Sequence, residues 1–313
     1  MKRNSILVRA PASTANLGPG FDVFGLALEK PSDEIEVTLV PGEGIKLTVS
    51  GTYGEGIPTK PSENIAGVVA EEVLRRFGNR GLSIEVRKGI PVSVGLGGSA
   101  ASAAGIAVAL NELLDLGISN EGLVELASYG EGAIAGSPHA DNVGAAVLGG
   151  FVIIESYNPL KLMKIDSPKN LKLCIAVPKL QLIQRKTKVA RSVIPKKVDL
   201  DKVVYNLGRA STLAIGFSKC NIEKIGSAMS DAIVEPCRAH LIPSYNEVKR
   251  EALDAGASGV AISGAGPTMI AIVDKMKVNE TKVADAMKKG FELNNIKSNT
   301  FCTNVGLGAL VVN

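Results

Sequence analysis

Apolar and polar positions alternate over residues 5–10, which predicts a strand running into PASTANLGPGFD, a stretch of turn residues that reads as a loop. Short β-branched runs predict further strands near residues 35–40, 45–49 and 82–87. Between the last two, Ala66, Val69, Val73, Leu74 and Phe77 recur at helical spacing behind Ser62 and Glu63, and Gly78 supplies the stop. From Ser99 to about Leu116 small and branched apolar residues continue with Gly105 as the sole breaker, predicting a second helix. A third covers 120–135, followed by a loop, GSPHADN, and a strand over 150–155.

The pattern then breaks. Residues 157–170 are polar and hold Pro159 and Pro168, the place for a domain boundary. Beyond it a strand at 172–177 leads into the basic stretch QRKTKVARSVIPKK and helices over 200–218, 222–231 and 244–254. A strand near Val260, the turn SGAGPT, a strand at 269–273, a helix at 280–293 and a terminal strand or pair complete the second half. This alternation predicts a small α/β layer domain, and no internal repeat is present.

Composition narrows the class. A chain of 313 residues, 45% of them apolar, suits two domains with separate cores. Its net charge of +4 is small and unclustered, which argues against a nucleic-acid partner. Cys174, Cys220, Cys237 and Cys302 form no CxxC pair and the histidines are only His139 and His240, so reduced thiols in a cytoplasmic protein are expected rather than zinc. The apolar stretch after MKRN is cut short by Arg9, leaving no signal-peptide core. The uncharged run 89–111 is long enough for a bilayer, but Pro91, Gly95, Gly97, Gly98 and Gly105 would leave its backbone unsatisfied there. Residues 255–273 fail on SGAGPT. No membrane partner is expected.

That uncharged run contains PVSVGLGGSAAS, residues 91–102. No Gly-Lys dipeptide occurs, which removes a Walker A loop, and Ala100 interrupts GxGxxG. What remains is a glycine-rich turn feeding a long helix from Ser99. Glycines let a backbone approach a ligand closely, and a helix start offers free N–H groups and the positive end of a dipole. Both features suit a phosphate; a tight turn that permits close helix packing explains them equally well.

PVSVGLGGSAAS resembles the PxxxGLGSSAA nucleotide loop of the small-molecule kinases named for galactose, homoserine, mevalonate and phosphomevalonate, the GHMP family. APASTANLGPGFDVFGLAL is similar to that family's first motif and ISGAGPT, at 262–268, to its third. The resemblance implies an α+β, two-domain fold: a ribosomal-protein-S5-domain-2-like N-terminal domain over 1–160 and a ferredoxin-like C-terminal domain over 161–313. It implies ATP and Mg²⁺ as cofactors, with Pro91, Val92, Ser93, Val94, Gly95, Leu96, Gly97, Gly98, Ser99, Ala100, Ala101 and Asn64 at the nucleotide, and Ser99 and Glu131 at the metal. Here Gly98 stands where the family has a first serine, so one hydroxyl contact to phosphate falls to a backbone N–H.

Four further segments, PASTANLGPGFDVFG, SPHADNV, TKVAR and EPCRAHLIP, are similar to those of family members that phosphorylate L-homoserine, in threonine biosynthesis. Homoserine carries a carboxylate, an ammonium and a terminal hydroxyl. Arg191 and Arg238 suit the carboxylate as bidentate donors, and Asp22 suits the ammonium. Asn16, His139, Thr187 and Gly264 complete the implied substrate site. Asn142 is implied to present the acceptor hydroxyl with Asp141 beside it, and Lys88 to add positive charge. The alternatives are a kinase of the same family acting on mevalonate, shikimate or a sugar, and a ligand-binding relative without phosphoryl transfer. A homodimer is also implied.

Overall fold

The computed structural model describes residues 4–135, 139–180 and 186–312. Its first strand, β1 (Ser5–Asn16), runs on through the segment that reads as a loop, and β2 (Gly20–Val40) begins after a three-residue turn. The reason lies in burial: from Ala10 to Asn16 every residue is buried, so the strand is covered on both faces and shows no alternation. Then follow β3 (Gly44–Ser50), α1 (Ile65–Phe77), β4 (Gly81–Arg87), α2 (Gly98–Leu114), α3 (Asn120–Ala135), α4 (Ala140–Leu148), β5 (Phe151–Tyr157) and β6 (Leu160–Ile165). Of the predicted loop, residues 136–138 lie outside the described residues, and helix α4 replaces its end: Asp141 and Asn142 occupy a first helical turn rather than a β-turn, and the small residues behind them fit the tight space under β5.

The second half comprises β7 (Leu171–Pro178), α5 (Lys186–Ser192), α6 (Leu200–Ser218), α7 (Ile222–Ser227), α8 (Val234–Ala239), α9 (Tyr245–Asp254), β8 (Gly259–Ile262), β9 (Met269–Asp274), α10 (Glu280–Glu292), β10 (Ser298–Thr303) and β11 (Leu310–Val312). Helix α8 lies in EPCRA, a segment whose proline hides the helix from a periodicity reading.

Two sheets organise these elements. The larger has seven strands, ordered β11-β1-β2-β4-β3, with β5 paired to the first part of β2 and β6 paired to β5. The chain therefore leaves this sheet after Ile165, within the polar segment, and returns to it at β11. Helices α2 and α4 lie on β1 and β2, and α1 and α3 pack against α2. The alanine-rich α2 is buried from Ala100 to Leu110. A Cβ on its Gly105 would lie 2.3 Å from Ile35 Cδ1, so the helix sits as close to the sheet as its smallest residue permits.

The smaller sheet, β10-β7-β9-β8, is antiparallel throughout. Its strands and helices follow the split βαβ order of ferredoxin-like domains. Alternation works cleanly here: Cys174, Ala176, Met269 and Ala271 face α9 and α10, while Leu173, Ile175, Ile270 and Ile272 face the other way and join the core of the first half. Among the described residues no helix is long and apolar enough to cross a membrane.

An aromatic stack ties the halves together. Phe151 of β5 and Phe217 of α6 lie 4.0 Å apart and nearly parallel, with Phe24 of β2 edge-on to Phe151 at 5.0 Å. Phe217→Ala is expected to lower stability by about 3–5 kcal/mol, measured by urea unfolding, against about 0.5 kcal/mol or less for exposed Met276→Ala.

Candidate active site

The segment between β4 and α2 belongs to neither sheet. Main-chain bonds from both halves hold it instead: Ser13 N–H donates to Leu96 O (3.1 Å), and Thr268 N–H donates to Val94 O (3.1 Å). The Ser263 hydroxyl donates to Gly95 O (2.7 Å) and lies 2.9 Å from Thr14 Oγ1. Gly264 N–H donates to Ala15 O (3.1 Å), which locks the first and third glycine motifs together. Gly95 and Gly97 have φ of +94° and +60°. A Cβ on Gly95 would fall 2.4 Å from Ser263 O, and one on Gly97 would fall 2.1 Å from Ser13 Oγ, so both positions demand glycine.

Gly97 is the N-cap of α2 and makes no side-chain cap. The first-turn amides of a 17-residue helix thus meet the loop's concave side, the arrangement that favours an anion. Pro91 and Val94 are half-buried, Val92, Ser93 and Ser99 are exposed, and Leu96, Ala100 and Ala101 are buried beneath. Gly98 adds no side chain to the cradle.

Glu131 on α3 is buried, with Oε1 unpartnered among the described residues. Burial pushes its carboxyl above the usual range, opposed by the Ser99 hydroxyl and the Lys88 charge. A buried oxygen without a partner, beside a serine hydroxyl at a helix start, fits a hard cation such as Mg²⁺, which needs few protein oxygens when phosphates supply the rest. The described residues hold no cluster of three or more acidic, histidine or cysteine ligands.

A second group of polar side chains meets the other end of the loop. Asn142 of α4 accepts a bond from the Ser13 hydroxyl (2.9 Å), and its Oδ1 lies 3.0 Å from where a Gly97 Cβ would stand. Asn16 donates to Gly264 O (2.8 Å) and accepts from Asp22 N–H (3.2 Å). Asp22 receives both contacts of an Arg191 amino group, at 2.8 and 2.7 Å. That group also lies 3.0 Å from His139 Nδ1. Burial lowers the His139 pKa, which favours the neutral ring, and its Nε2 is a buried atom without a partner among the described residues. Arg238 of α8 donates to Ala190 O (3.1 Å) and Gly264 O (3.0 Å). Both guanidinium groups sit 5.2 Å from the Phe21 ring centre.

Helix α8 is itself anchored. The Asp231 carboxylate accepts from the N–H groups of Ile233 (2.7 Å), Val234 (3.0 Å) and Glu235 (2.6 Å), and from Asn206 of α6 (2.7 Å).

Two sequence-predicted residues are not part of this cluster. Lys88 is buried and points beneath the loop, to Asp33, Gly98 O (2.7 Å) and Ser102 Oγ (2.9 Å). Asn64 spends its side chain on capping α1, accepting from Ala66 N–H (2.9 Å) and donating to Pro58 O (2.7 Å). The side chain of Thr187 lies outside the described residues. Conversely, Ser13, Ser263 and Phe21 lie within recognisable motifs and carry no chemistry that marks them singly, and Asp33 and Asp231 lie where nothing nearby singles them out.

Comparison with known proteins identifies the family. The family model described as GHMP kinases N terminal domain matches residues 64–150, and that for GHMP kinases C terminal matches 216–293. A homoserine kinase of Methanococcus vannielii is 44% identical over 88% of this chain and 90% of its own. One of Natronomonas pharaonis is 40% identical over 97% and 99%. A crystal structure of homoserine kinase from Cytophaga hutchinsonii superposes with a TM-score of 0.92 at 37% identity, covering 100% of this chain and 98% of that one.

Asp141 generates a prediction of its own. Its carboxyl is fully desolvated, and burial pushes its pKa up from 3.8 to about 7 despite a bond from Asn142 N–H (2.6 Å). The folded state therefore keeps a proton that the unfolded chain releases, and the stability so gained is lost as pH rises through about 7. Asp141→Asn should thus gain on the parent between pH 4 and pH 8, by a few kcal/mol at about 1.4 kcal/mol per tenfold proton affinity, in denaturant unfolding at the two pH values.

Proposed function

This chain belongs to the GHMP kinase family, and from that premise we propose that it transfers the γ-phosphoryl group of ATP to the side-chain hydroxyl of L-homoserine. The observation that carries the reading is the juxtaposition, across Gly97 and Asn142, of a helix-start anion cradle with a compact Asp22–Arg191–His139–Arg238 group. The cradle suits polyphosphate and the group suits an amino-acid zwitterion. A sugar or mevalonate has no ammonium for Asp22.

In this reading the amides of Gly98 and Ser99 bind phosphate oxygens. Glu131 and Ser99 would hold Mg²⁺, which when bound offsets phosphate charge. Arg191 and Arg238 receive the substrate carboxylate and Asp22 its ammonium, with the Phe21 ring fixing the two guanidinium planes. His139 Nε2–H donates to the substrate. Asn142, half-buried and next to the loop, orients the acceptor hydroxyl, while buried Asp141 faces the protein. Phosphoryl transfer through a loose transition state asks mainly for such alignment and charge neutralisation, so the hydroxyl proton leaves to phosphate or solvent without a dedicated base.

A homodimer is the companion reading. Leu200, Val203, Val204, Leu207 and Ile215 form an exposed apolar stripe along α6, at the spacing of one helix face. Two copies of such a stripe can cover each other about a two-fold axis.

The deciding measurement is ADP release with ATP, Mg²⁺ and a panel of homoserine, threonine, mevalonate, shikimate and galactose. Homoserine is expected to be the preferred acceptor; a rate equal to the acceptor-free blank rejects the reading. Arg238→Lys, which keeps the charge and loses the planar fork, is expected to raise KM for homoserine about tenfold and KM for ATP by less than about twofold.

A further inference from the structure

Lys88 and Asp33 form a buried ion pair beneath the loop that the nucleotide reading leaves without a role. The main chain of Lys88 is fixed by the end of β3 and the turn after it, its N–H donating to Ser50 O (2.8 Å) and its carbonyl accepting from Tyr53 N–H (3.1 Å). Its side chain crosses under the loop to Gly98 O, at the start of α2. Asp33 uses every lone-pair direction it has. One oxygen accepts from the N–H groups of Gly89 and Ile90, both at 3.0 Å; the other takes the Lys88 ammonium and the Ser102 hydroxyl (3.1 Å). One carboxylate thus binds both where the loop begins and where it ends.

Peptide geometry gives this arrangement a direction. In a trans peptide the carbonyl and the following N–H point oppositely, so holding Gly98 O inward aims Ser99 N–H outward, into the cradle. A cation on that carbonyl also polarises the peptide and strengthens the same N–H as a donor. We propose that Asp33 is a positioning residue for phosphate binding, acting through Lys88 on the Gly98–Ser99 peptide unit. The inference rests on the reading that this loop holds ATP phosphates. It recasts Lys88 as a support for the cradle rather than a group that touches phosphate.

Asp33→Asn alone strands a buried ammonium, so the test uses the charge-neutral pair Asp33→Asn with Lys88→Met, and Ser102→Ala, which removes one hydroxyl. ADP affinity is read by calorimetry, KM for ATP and homoserine by ADP release, and folding by thermal melting. The double variant should fold, bind ADP about tenfold or more weakly, and keep KM for homoserine within about twofold; Ser102→Ala should weaken ADP a few-fold with homoserine unchanged. Wild-type ADP affinity in the folded double variant overturns the proposal, as does an equal loss towards both substrates. If the double variant does not fold, unchanged ADP affinity in Ser102→Ala overturns it. Failure of the nucleotide reading looks different: the wild-type protein itself would then bind no ADP.

Discussion

A loop without a strand partner must be held by something else, and here four bonds to its main-chain carbonyls and to the adjoining motif do so. Val94, Gly95 and Leu96 each offer a carbonyl, and the donors come from Thr268, Ser263 and Ser13. The donors lie in different halves of the chain, so the cradle exists only where the two sheets meet. Once the carbonyls are turned inward to these donors, the loop's opposite side is free to present N–H groups. The glycines follow from the same constraint, because any side chain at Gly95 or Gly97 would occupy the space that the bonds need.

The Asp22–Arg191–Arg238 group depends on this seam as well. Gly264 O, next to the seam serine, accepts from both Asn16 and Arg238, and Ser13 joins the loop to Asn142. In the proposed reading, alignment of donor and acceptor substrates is therefore a property of one backbone junction. Charge is then placed around it sparingly: a buried glutamate with an open oxygen at one end, two guanidinium groups on a phenylalanine face at the other.

Much of this was legible in the sequence where one face of an element meets solvent. Helix α1 announced itself by its period; β7 and β9, buried on both faces, showed only as short apolar runs rich in β-branched residues. The second half of β1 was not legible, since burial on both faces erases the pattern. Helix α4 was hidden by Asp, Asn and small residues that favour turns in isolation and become helical only when packed under β5. The three glycine motifs, far apart in the sequence, meet in the structure around one loop. What supports the loop from below was invisible: Asp33 sits in DEIEV among surface-like charges, and only the path of β2, which pairs it with Ala10, takes it inside.

The return of β11 to the first sheet bears on how the molecule comes to be made. Leu7 pairs with Val312, so the outer edge of β1 is covered by a strand that is made after every other strand of both sheets. The smaller sheet, contiguous from Leu171 to Thr303, has all its strands well before that moment. Until then β1 carries an open row of peptide groups, the kind of edge that pairs with whatever strand it meets. Assembly of the larger sheet thus waits on the pairing of its earliest strand with its latest, and the open interval of β1 spans the synthesis of the whole smaller sheet.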